Sequence, residues 1–211
     1  MNLLFPGSFK PFHDGHFSLI KRYVEELSPE KVYIVISPKD RSGISAESSK
    51  DFIKNVFKDS WYNTEIIIKI SEEPSPINYC YKIIGNDKRK NKYSMINSSK
   101  DKDERIEQFY ELFKKGGDYY NGKSYAVKTD VETEPIYYSM RHDEFEDSPI
   151  SSAIVRNDII NDDYKSFKKA YREILNDSYL EADELEDYFE ELSINVEQTE
   201  DDLEKLERYK I

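Results

Sequence analysis

Short apolar runs alternate with helical patterns along the first part of this chain, and this alternation constrains the fold more than any other feature. Three runs have the length of buried strands: residues 2–5, 31–36 and 65–70. Between them, apolar residues recur at helical spacing, first from about Gly15 and then over residues 46–57. Strands that alternate with helices form a parallel sheet that is covered on both faces. The pattern therefore predicts an α/β fold with helices on both faces of a parallel sheet.

The middle of the chain continues this alternation with weaker signals. A short helix is expected over residues 76–84, with Gly85 as its C-terminal cap, and a longer helix over residues 103–115. Further strands are expected over residues 93–97, 124–128 and 135–138. A helix then begins near residue 150 and is expected to run to residue 160.

The net charge of −12 is concentrated towards the C-terminus. Residues 173–211 include 15 acidic and 3 basic side chains, so the rest of the chain is neutral. A neutral body argues against a surface that binds nucleic acid. From about Tyr164 the pattern is helical, which predicts a domain over residues 1–163 and an acidic helical extension over 164–211. This extension either packs on the domain with a solvated acidic face or contacts a protein partner.

Membrane and secreted proteins are disfavoured by the composition. No apolar run approaches the ~20 residues that span a bilayer, and the first residues lack the basic flank of a secretion signal. The chain has a single cysteine, Cys80, which cannot form an internal disulfide. We therefore expect a cytoplasmic protein that binds no membrane.

The segment between the first strand and the first helix is suited to binding phosphate. It runs from Gly7 to His16 with the sequence GSFKPFHDGH. Gly7 and Gly15 let the backbone approach a ligand closely, and a helix N-terminus favours an anion. His13 and His16 can donate hydrogen bonds to phosphate oxygens without a fixed charge. The same pair could supply two zinc ligands, but no nearby cysteine or third histidine completes a site, so we expect no metal ligands.

A second segment, residues 150–156, has the sequence ISSAIVR. Ser151 and Ser152 are good N-cap residues, so a second helix begins here. Arg156 lies one turn into that helix, and its guanidinium offers a forked, permanently charged grip on phosphate oxygens. An ordinary N-cap followed by a surface arginine has the same pattern, so this segment gains its meaning beside the first one.

Together and in this order, the two segments resemble the motifs of the HxGH nucleotidylyltransferase superfamily. That superfamily includes adenylyltransferases acting on pantetheine phosphate, nicotinamide and nicotinate mononucleotides and FMN, and the glycerol-phosphate and choline-phosphate cytidylyltransferases. Its second motif is roughly Ile-Ser-Ser-Thr-x-x-Arg. This chain departs from the family at Lys10, where an Asp, Asn or Gln is usual, and at Ala153, where a Thr is usual. The resemblance implies a Rossmann-like sheet.

The resemblance also implies roles for individual residues. His13, His16 and Arg156 would be the catalytic residues, acting on the phosphates of a nucleoside triphosphate. Nucleotide-binding roles would fall to Gly7, Ser8, Phe9, Gly15, Ser151 and Ser152. Lys10 and Lys39 would contact the phosphate of the acceptor, and Arg41 is a weaker candidate for the same role.

Family members bind the nucleoside in a loop after the fourth strand, and two stretches of this chain compete for that position. Residues 85–88 match the family's Gly-x-Asp letters but follow a predicted helix. Residues 98–103 match the position, after a strand and before a helix. We prefer the second stretch, with Ser99, Lys100 and Asp101 as the contacts.

The implied reaction is in-line attack of an acceptor phosphate on the α-phosphate of the triphosphate, with release of pyrophosphate and no protein nucleophile. Mg²⁺ is expected with the triphosphate. The form Phe-x-Pro-Phe-His-x-Gly-His is closest to the adenylyltransferases that make NAD, which favours ATP with nicotinamide mononucleotide as acceptor. CTP, phosphopantetheine and a module that binds nucleotide without turnover stay open as alternatives. Relatives often form closed homo-oligomers, so the resemblance also allows a homo-oligomer.

Overall fold

A computed structural model describes residues 1–58, 60–98, 104–133 and 150–207 of the chain. These residues form two compact units. The first comprises Met1–Ser8, Leu19–Pro38 and residues 60–133, and the second comprises Phe9–Ser18, Lys39–Lys58 and residues 150–207. The domain boundary suggested by the sequence, between residues 163 and 164, falls inside the second unit and stays a prediction.

In the described part of the chain, the first unit contains a six-stranded sheet. Its strands are β1 (Asn2–Gly7), β2 (Lys31–Ile36), β3 (Ser60–Trp61), β4 (Thr64–Ile70), β5 (Lys92–Met95) and β6 (Tyr125–Ala126). They lie in the order β3-β4-β2-β1-β5-β6, and all neighbours are parallel except β3 and β4. The order reverses at β1, because β2 and β5 flank it on opposite sides. The carboxyl end of β1 is therefore the switch point at which open α/β sheets bind ligands.

The central strands are buried on both faces. Leu3 and Leu4 point to opposite sides of the sheet, and neither is exposed to solvent. The same holds for Ile34 and Val35 in β2. Burial on both faces explains why these strands are continuous apolar runs rather than alternating ones. The predicted α/β class, with a mostly parallel sheet, is confirmed.

Helices α1 (Asp14–Leu27), α3 (Pro76–Asn86) and α4 (Glu104–Phe113) contribute to the first unit, α1 from Leu19 onward. Helix α3 packs against β1 and β2, and its Cys80 is fully buried in the same apolar cluster as Phe109 of α4. Burial raises the pKa of the Cys80 thiol. The prediction that Gly85 caps α3 is wrong: the helix continues to Asn86, and Asp87 is the C-cap residue.

The helices of the second unit are α2 (Ala46–Phe57), α5 (Ser152–Ile160), α6 (Tyr164–Lys169), α7 (Arg172–Asp177), α8 (Ala182–Asn195) and α9 (Glu200–Glu207). Helix α8 buries four large side chains, among them Tyr188, which stacks on Phe52 of α2 with ring centroids 3.9 Å apart. In α9, Leu206 is buried but Leu203 is 48% exposed. None of the helices in the described ranges is long and apolar enough to cross a membrane.

Candidate active site

Gly7 and Ser8, which are predicted to bind the nucleotide, lie at the switch point of the sheet. Strand β1 ends at Gly7, whose carbonyl accepts a hydrogen bond from the Ser37 N–H (2.8 Å) just beyond β2. Ser8 follows directly and is partly buried. Ligands of open α/β sheets bind at this edge, so both residues lie at the end of the strand where a nucleotide contact is expected.

The two loops proposed for the nucleoside have different outcomes. Ser99, Lys100 and Asp101 lie outside the described residues, so their role stays a prediction. Two residues of the rival stretch, Asn86 and Asp87, line a polar pocket together with residues at the beginnings of β1, β2 and β5. This pocket therefore lies at the amino ends of these strands, whereas Gly7 lies at the carboxyl end of β1.

Asp87, the acidic residue of this rival stretch, already has several partners. Its carboxylate accepts hydrogen bonds from Asn91 Nδ2 (2.8 Å), the Tyr93 hydroxyl (2.8 Å) and the Ser124 hydroxyl (3.0 Å). These bonds fix the turn that follows α3, so Asp87 has a structural role. The choice of residues 98–103 as the nucleoside loop stays a prediction.

The two histidines of the HxGH segment lie side by side at the start of α1. Their ring centroids are 3.9 Å apart. The Gly15 N–H donates to His13 Nδ1 (3.2 Å), and the His13 N–H donates to His16 Nδ1 (3.3 Å). A nitrogen that accepts a hydrogen bond carries no proton, so each neutral ring has its proton on Nε2. The local backbone therefore selects the tautomer of both rings.

His16 is held in its neutral form. Burial lowers the pKa of His16 to about 3, so the ring carries no charge near neutral pH. Phe12 stacks on it at a centroid distance of 5.4 Å, and Phe9 meets it edge-on at 5.1 Å. Phe9 itself has a positive φ of 55°, an uncommon conformation for a bulky residue, and its side chain is buried. An aromatic wall and an unusual backbone turn thus fix the position of the imidazole.

The backbone N–H groups at the start of α1 are used within the chain. The Asp14 N–H donates to the Ala170 carbonyl (2.9 Å), and the His16 N–H donates to the His13 carbonyl (2.9 Å). With the Gly15 N–H bound to His13 Nδ1, this helix end differs from the free N-terminus that the sequence suggested. A phosphate-binding role for the two imidazoles stays a prediction.

Asp14 fastens the HxGH segment to the C-terminal helices. Its carboxylate accepts the N–H groups of Glu173 and Ile174 at the start of α7, each at 3.0 Å. Burial raises the pKa of Asp14 to about 7, although these two hydrogen bonds oppose the shift. No role was predicted for Asp14 from the sequence, because it occupies a variable position of the motif.

The N-terminus of α5 lies against the HxGH segment. Ser151 is the N-cap and accepts the Ile154 N–H (3.4 Å), as predicted for a helix start. The Ser152 hydroxyl donates to the Pro11 carbonyl (3.1 Å). A Cβ on Gly15 would lie only 2.6 Å from Ile150 Cγ2, so the absence of a side chain lets the two segments approach. The bond from Ser152 to Pro11 joins the two predicted motifs across 141 positions of the chain.

Arg156 is fully buried and its guanidinium is bonded within the chain. Nε donates to Asp202 Oδ2 (3.1 Å), Nη2 donates to Asp202 Oδ1, and Nη1 donates to the Lys10 carbonyl. The Ser42 hydroxyl donates to the same carboxylate (2.7 Å). Burial acts to raise the pKa of Asp202, but the bonds from Arg156 and Ser42 outweigh it and hold the pKa at about 2. The phosphate role of Arg156 stays a prediction.

Lys10 and Lys39, the candidates for the acceptor phosphate, meet through the backbone. Lys10 Nζ donates to the Lys39 carbonyl (2.6 Å), and the Lys10 side chain is buried whereas Lys39 is exposed. Burial lowers the pKa of Lys10 to about 8, the charge of Arg41 adds to the shift and Asp40 opposes it. Lys10 therefore holds the segment after β2 close to the HxGH motif.

Among the residues that the structure describes, no group of three or more His, Cys, Asp or Glu side chains could hold a metal ion. The histidine pair has both Nδ1 atoms bound to backbone N–H groups, which does not suit a zinc site built through those atoms. The predicted absence of protein metal ligands stays an expectation for the chain as a whole.

Comparison with known proteins identifies distant relatives. No family model matches the chain. A phosphopantetheine adenylyltransferase of Mycoplasma capricolum is 36% identical over 88 residues, which cover 39% of this chain and 61% of that protein. The corresponding enzyme of Mycoplasma mycoides is 39% identical over 67 residues, which cover 31% of this chain and 46% of that protein.

These matches cover part of this chain and part of each relative. Over the matched residues, the chain is similar to adenylyltransferases of the nucleotidylyltransferase superfamily. It spans between 46% and 61% of the length of the two superfamily members named above. Among solved structures, Plasmodium falciparum nicotinic acid mononucleotide adenylyltransferase complexed with NaAD is 15% identical, with a TM-score of 0.48 over 92% of this chain and 96% of that chain.

Three residues that join distant segments of the second unit were not predicted from the sequence: Asp14, Ser42 and Asp202. Each acts through a hydrogen bond to a residue far away in the chain. Asp202 is one of 15 acidic residues in a segment that looked uniformly solvated, so no local signal separated it from its neighbours. Arg156 could have indicated such an acidic residue, because an arginine that is buried needs an anionic partner.

Proposed function

We propose that this chain is an adenylyltransferase, which transfers AMP from ATP to the phosphate of a small acceptor and releases pyrophosphate. The observation that carries the proposal is the imidazole pair at the start of α1, in which each Nδ1 accepts a backbone N–H. Each ring therefore offers an Nε2–H donor that suits a phosphate oxygen. The relatives named adenylyltransferase favour ATP over CTP. Mg²⁺ enters with the phosphates of ATP, as part of the substrate.

In the proposed mechanism, an oxygen of the acceptor phosphate attacks the α-phosphorus of ATP in line with the leaving group. The new P–O bond forms as the bond to the β-phosphate breaks, and pyrophosphate takes the electron pair. His13 and His16 donate hydrogen bonds to the charge that develops at the α-phosphate. Fixed, neutral donors need little reorganisation when that charge appears.

The leaving pyrophosphate would be held by the second motif. Ser151 and Ser152 lie at the N-terminus of α5, where a helix favours an anion, and Arg156 lies one turn further on. Their closeness to the HxGH segment, through the bond from Ser152 to Pro11, supports a shared phosphate site. Arg156 would have to exchange its present carboxylate partner for a phosphate.

Two acceptors are candidates, each for a different reason. The form of the first motif, from Phe9 to His16, favours nicotinamide mononucleotide. The relatives named phosphopantetheine adenylyltransferase favour phosphopantetheine. Both acceptors present a phosphate monoester to the same donors, so the reaction at phosphorus is the same.

Pyrophosphate release tests the proposal. ATP and CTP are each combined with nicotinamide mononucleotide, nicotinate mononucleotide, phosphopantetheine, FMN, glycerol-3-phosphate and phosphocholine. Release with ATP and one acceptor establishes the reaction and the acceptor together. If ATP binds but no pair releases pyrophosphate, the chain is a nucleotide-binding module without this turnover.

Variants of His16 connect the activity to the site. His16→Ala removes the donor and should lower kcat by about 100-fold or more, the scale of losing one well-placed donor to a developing oxyanion. His16→Gln can place an amide N–H near the Nε2 position and should retain part of the rate. Glu25→Gln, an exposed change on the same helix, is the matched control and should leave the rate unaltered. Equal rates in all of them would reject a catalytic His16.

A further inference from the structure

Helix α9 covers the arginine that the proposed reaction assigns to phosphate. Asp202 of α9 binds Nε and Nη2 of Arg156 with its two carboxylate oxygens, and the pair is buried. Ser42 donates to the same carboxylate (2.7 Å). Arg41, another residue with a candidate phosphate role, pairs with the neighbouring Asp201. A nucleotide phosphate and α9 therefore compete for the same cations.

The carboxylate of Asp202 resembles a phosphate in the way it accepts hydrogen bonds from arginine. Arginine binds both groups through two parallel N–H bonds to two oxygens of one anion. A hydroxyl donor such as Ser42 completes the same pattern with either anion. The site formed by Arg156 and Ser42 is thus an anion site whose present occupant belongs to the chain itself.

The attachment of α9 is polar, in contrast with that of α8. In α8 four large side chains are buried: Leu185, Tyr188, Phe189 and Leu192. In α9, all eight residues of which are described, the buried side chains are Asp202 and Leu206, and Leu203 is 48% exposed. Little apolar area holds α9 in place, so an anion that replaces Asp202 removes its main attachment.

The segment that connects α8 and α9 has contacts of its own, so it can keep its position when α9 detaches. The Glu197 N–H, just after α8, donates to the Ser42 carbonyl (3.1 Å). A Cβ on Gly43 would lie 1.6 Å from the Asn195 carbonyl oxygen, so the end of α8 packs directly on the backbone there. The chain is therefore anchored up to about residue 197, and α9 begins at Glu200.

We propose that α9 is an internal competitor of the nucleotide, in which Asp202 occupies the phosphate position on Arg156 until ATP displaces the helix. This inference rests on the proposed function, because it takes Arg156 as a phosphate ligand. The unliganded chain is then autoinhibited, and its affinity for ATP is reduced by the fraction of time that α9 is bound.

Calorimetric binding of Mg–ATP to the full chain measures this competition. Asp202→Asn keeps the shape and hydrogen-bonding groups of the side chain but removes its charge. If α9 is bound about nine tenths of the time, this variant should bind ATP about tenfold more tightly. Glu204→Gln, an exposed change of the same charge on the same helix, should bind like the unaltered chain. Equal affinity in all three folded proteins would overturn the competition.

Hydrogen exchange of the unaltered chain decides the matter without any substitution. An isolated helix of this length is marginal in water, so displacement by saturating ATP should speed amide exchange in α9 by about tenfold or more while α8 stays protected. ATP binding that leaves α9 as protected as before would overturn the inference and leave the proposed function intact. Displacement of α9 without pyrophosphate release from any pair would support the inference and reject the proposed function. Failure of ATP to bind either the chain or its Asp202→Asn variant would reject both.

Discussion

Asp14 is the residue whose titration should dominate the stability of the second unit near neutral pH. Its folded pKa of about 7 lies above the ordinary value of 3.8, so the folded chain holds this proton more tightly than the unfolded chain. The contribution of Asp14 is then fully present below about pH 4 and is lost as pH rises to about 7.

We therefore expect the free energy of unfolding to fall between about pH 4 and pH 7, through Asp14 by at most about 1.4 kcal/mol per pH unit. Urea unfolding across this range measures it. In Asp14→Asn this component should vanish, whereas Asp51→Asn, an exposed change on α2, should keep it. An unchanged pH slope in Asp14→Asn would contradict the buried titration.

The residues that could be predicted from the sequence are those with local signals. His13 and His16 were found because glycines and a helix start surround them, and Ser151 because an N-cap is a property of one turn. The partner of Arg156 lies 46 residues away and was not found. A buried ion pair depends on tertiary packing, which leaves no periodic mark in a segment of many carboxylates.

At the scale of elements, alanine substitutions of two helical glycines should change the stability in opposite directions. A Cβ on Gly15 in α1 would lie 2.6 Å from Ile150 Cγ2 and 3.1 Å from His13 Cε1, whereas a Cβ on Gly85 in α3 would meet nothing within 4 Å. Gly15→Ala should destabilise the chain by about 1–3 kcal/mol, because the neighbours must move. It should also slow pyrophosphate release, because one of those neighbours is the His13 ring.

Gly85→Ala is the matched control for this effect. Alanine is the better helix former, so this variant should be stabilised by up to about 1 kcal/mol. Chemical denaturation of both variants gives the comparison. A similar effect of the two substitutions would show that helix propensity, rather than close packing at Gly15, decides the outcome.

The elements that were predicted well are those with long and simple patterns. Strand β2 and helix α2 have the bounds that apolar periodicity suggested. The two-residue strand β3 was missed, because a short antiparallel edge strand has no room for a pattern. The strand expected over residues 135–138 lies outside the described residues.

At the scale of the whole molecule, the buried pair of Arg156 and Asp202 should matter most when one partner is removed. Asp202→Ala leaves the guanidinium without its anion, and because α9 can then detach and expose Arg156 to water, the free energy of unfolding should fall by about 1.4 kcal/mol, the value that corresponds to nine-tenths occupancy of α9. The double variant Arg156→Met with Asp202→Leu replaces the pair by apolar side chains and should recover most of that loss. Urea unfolding of the single and double variants measures both effects. A double variant no more stable than Asp202→Ala would show that the carboxylate has further tasks beyond neutralising Arg156.

The segments that make up the two units explain why the predicted boundary between residues 163 and 164 does not separate them. The helical pattern begins near residue 164 and the acidic excess near residue 173, and these changes mark the acidic segment but not the packing. The second unit combines residues 9–18 and 39–58 with residues 150–207. Contacts between such distant segments have no signature in a linear reading of the chain.

This interleaving has a consequence for biosynthesis. A ribosome adds about 5–20 residues per second, so the HxGH segment leaves it well before α5 and the acidic helices have been made. Phe9 and Phe12, which are buried in the finished protein, have no second unit to enter during that interval. The strands from β1 to β6 are by then all synthesised. The sheet can therefore form on the nascent chain, whereas the HxGH segment becomes buried only after α5 and the acidic helices have been translated.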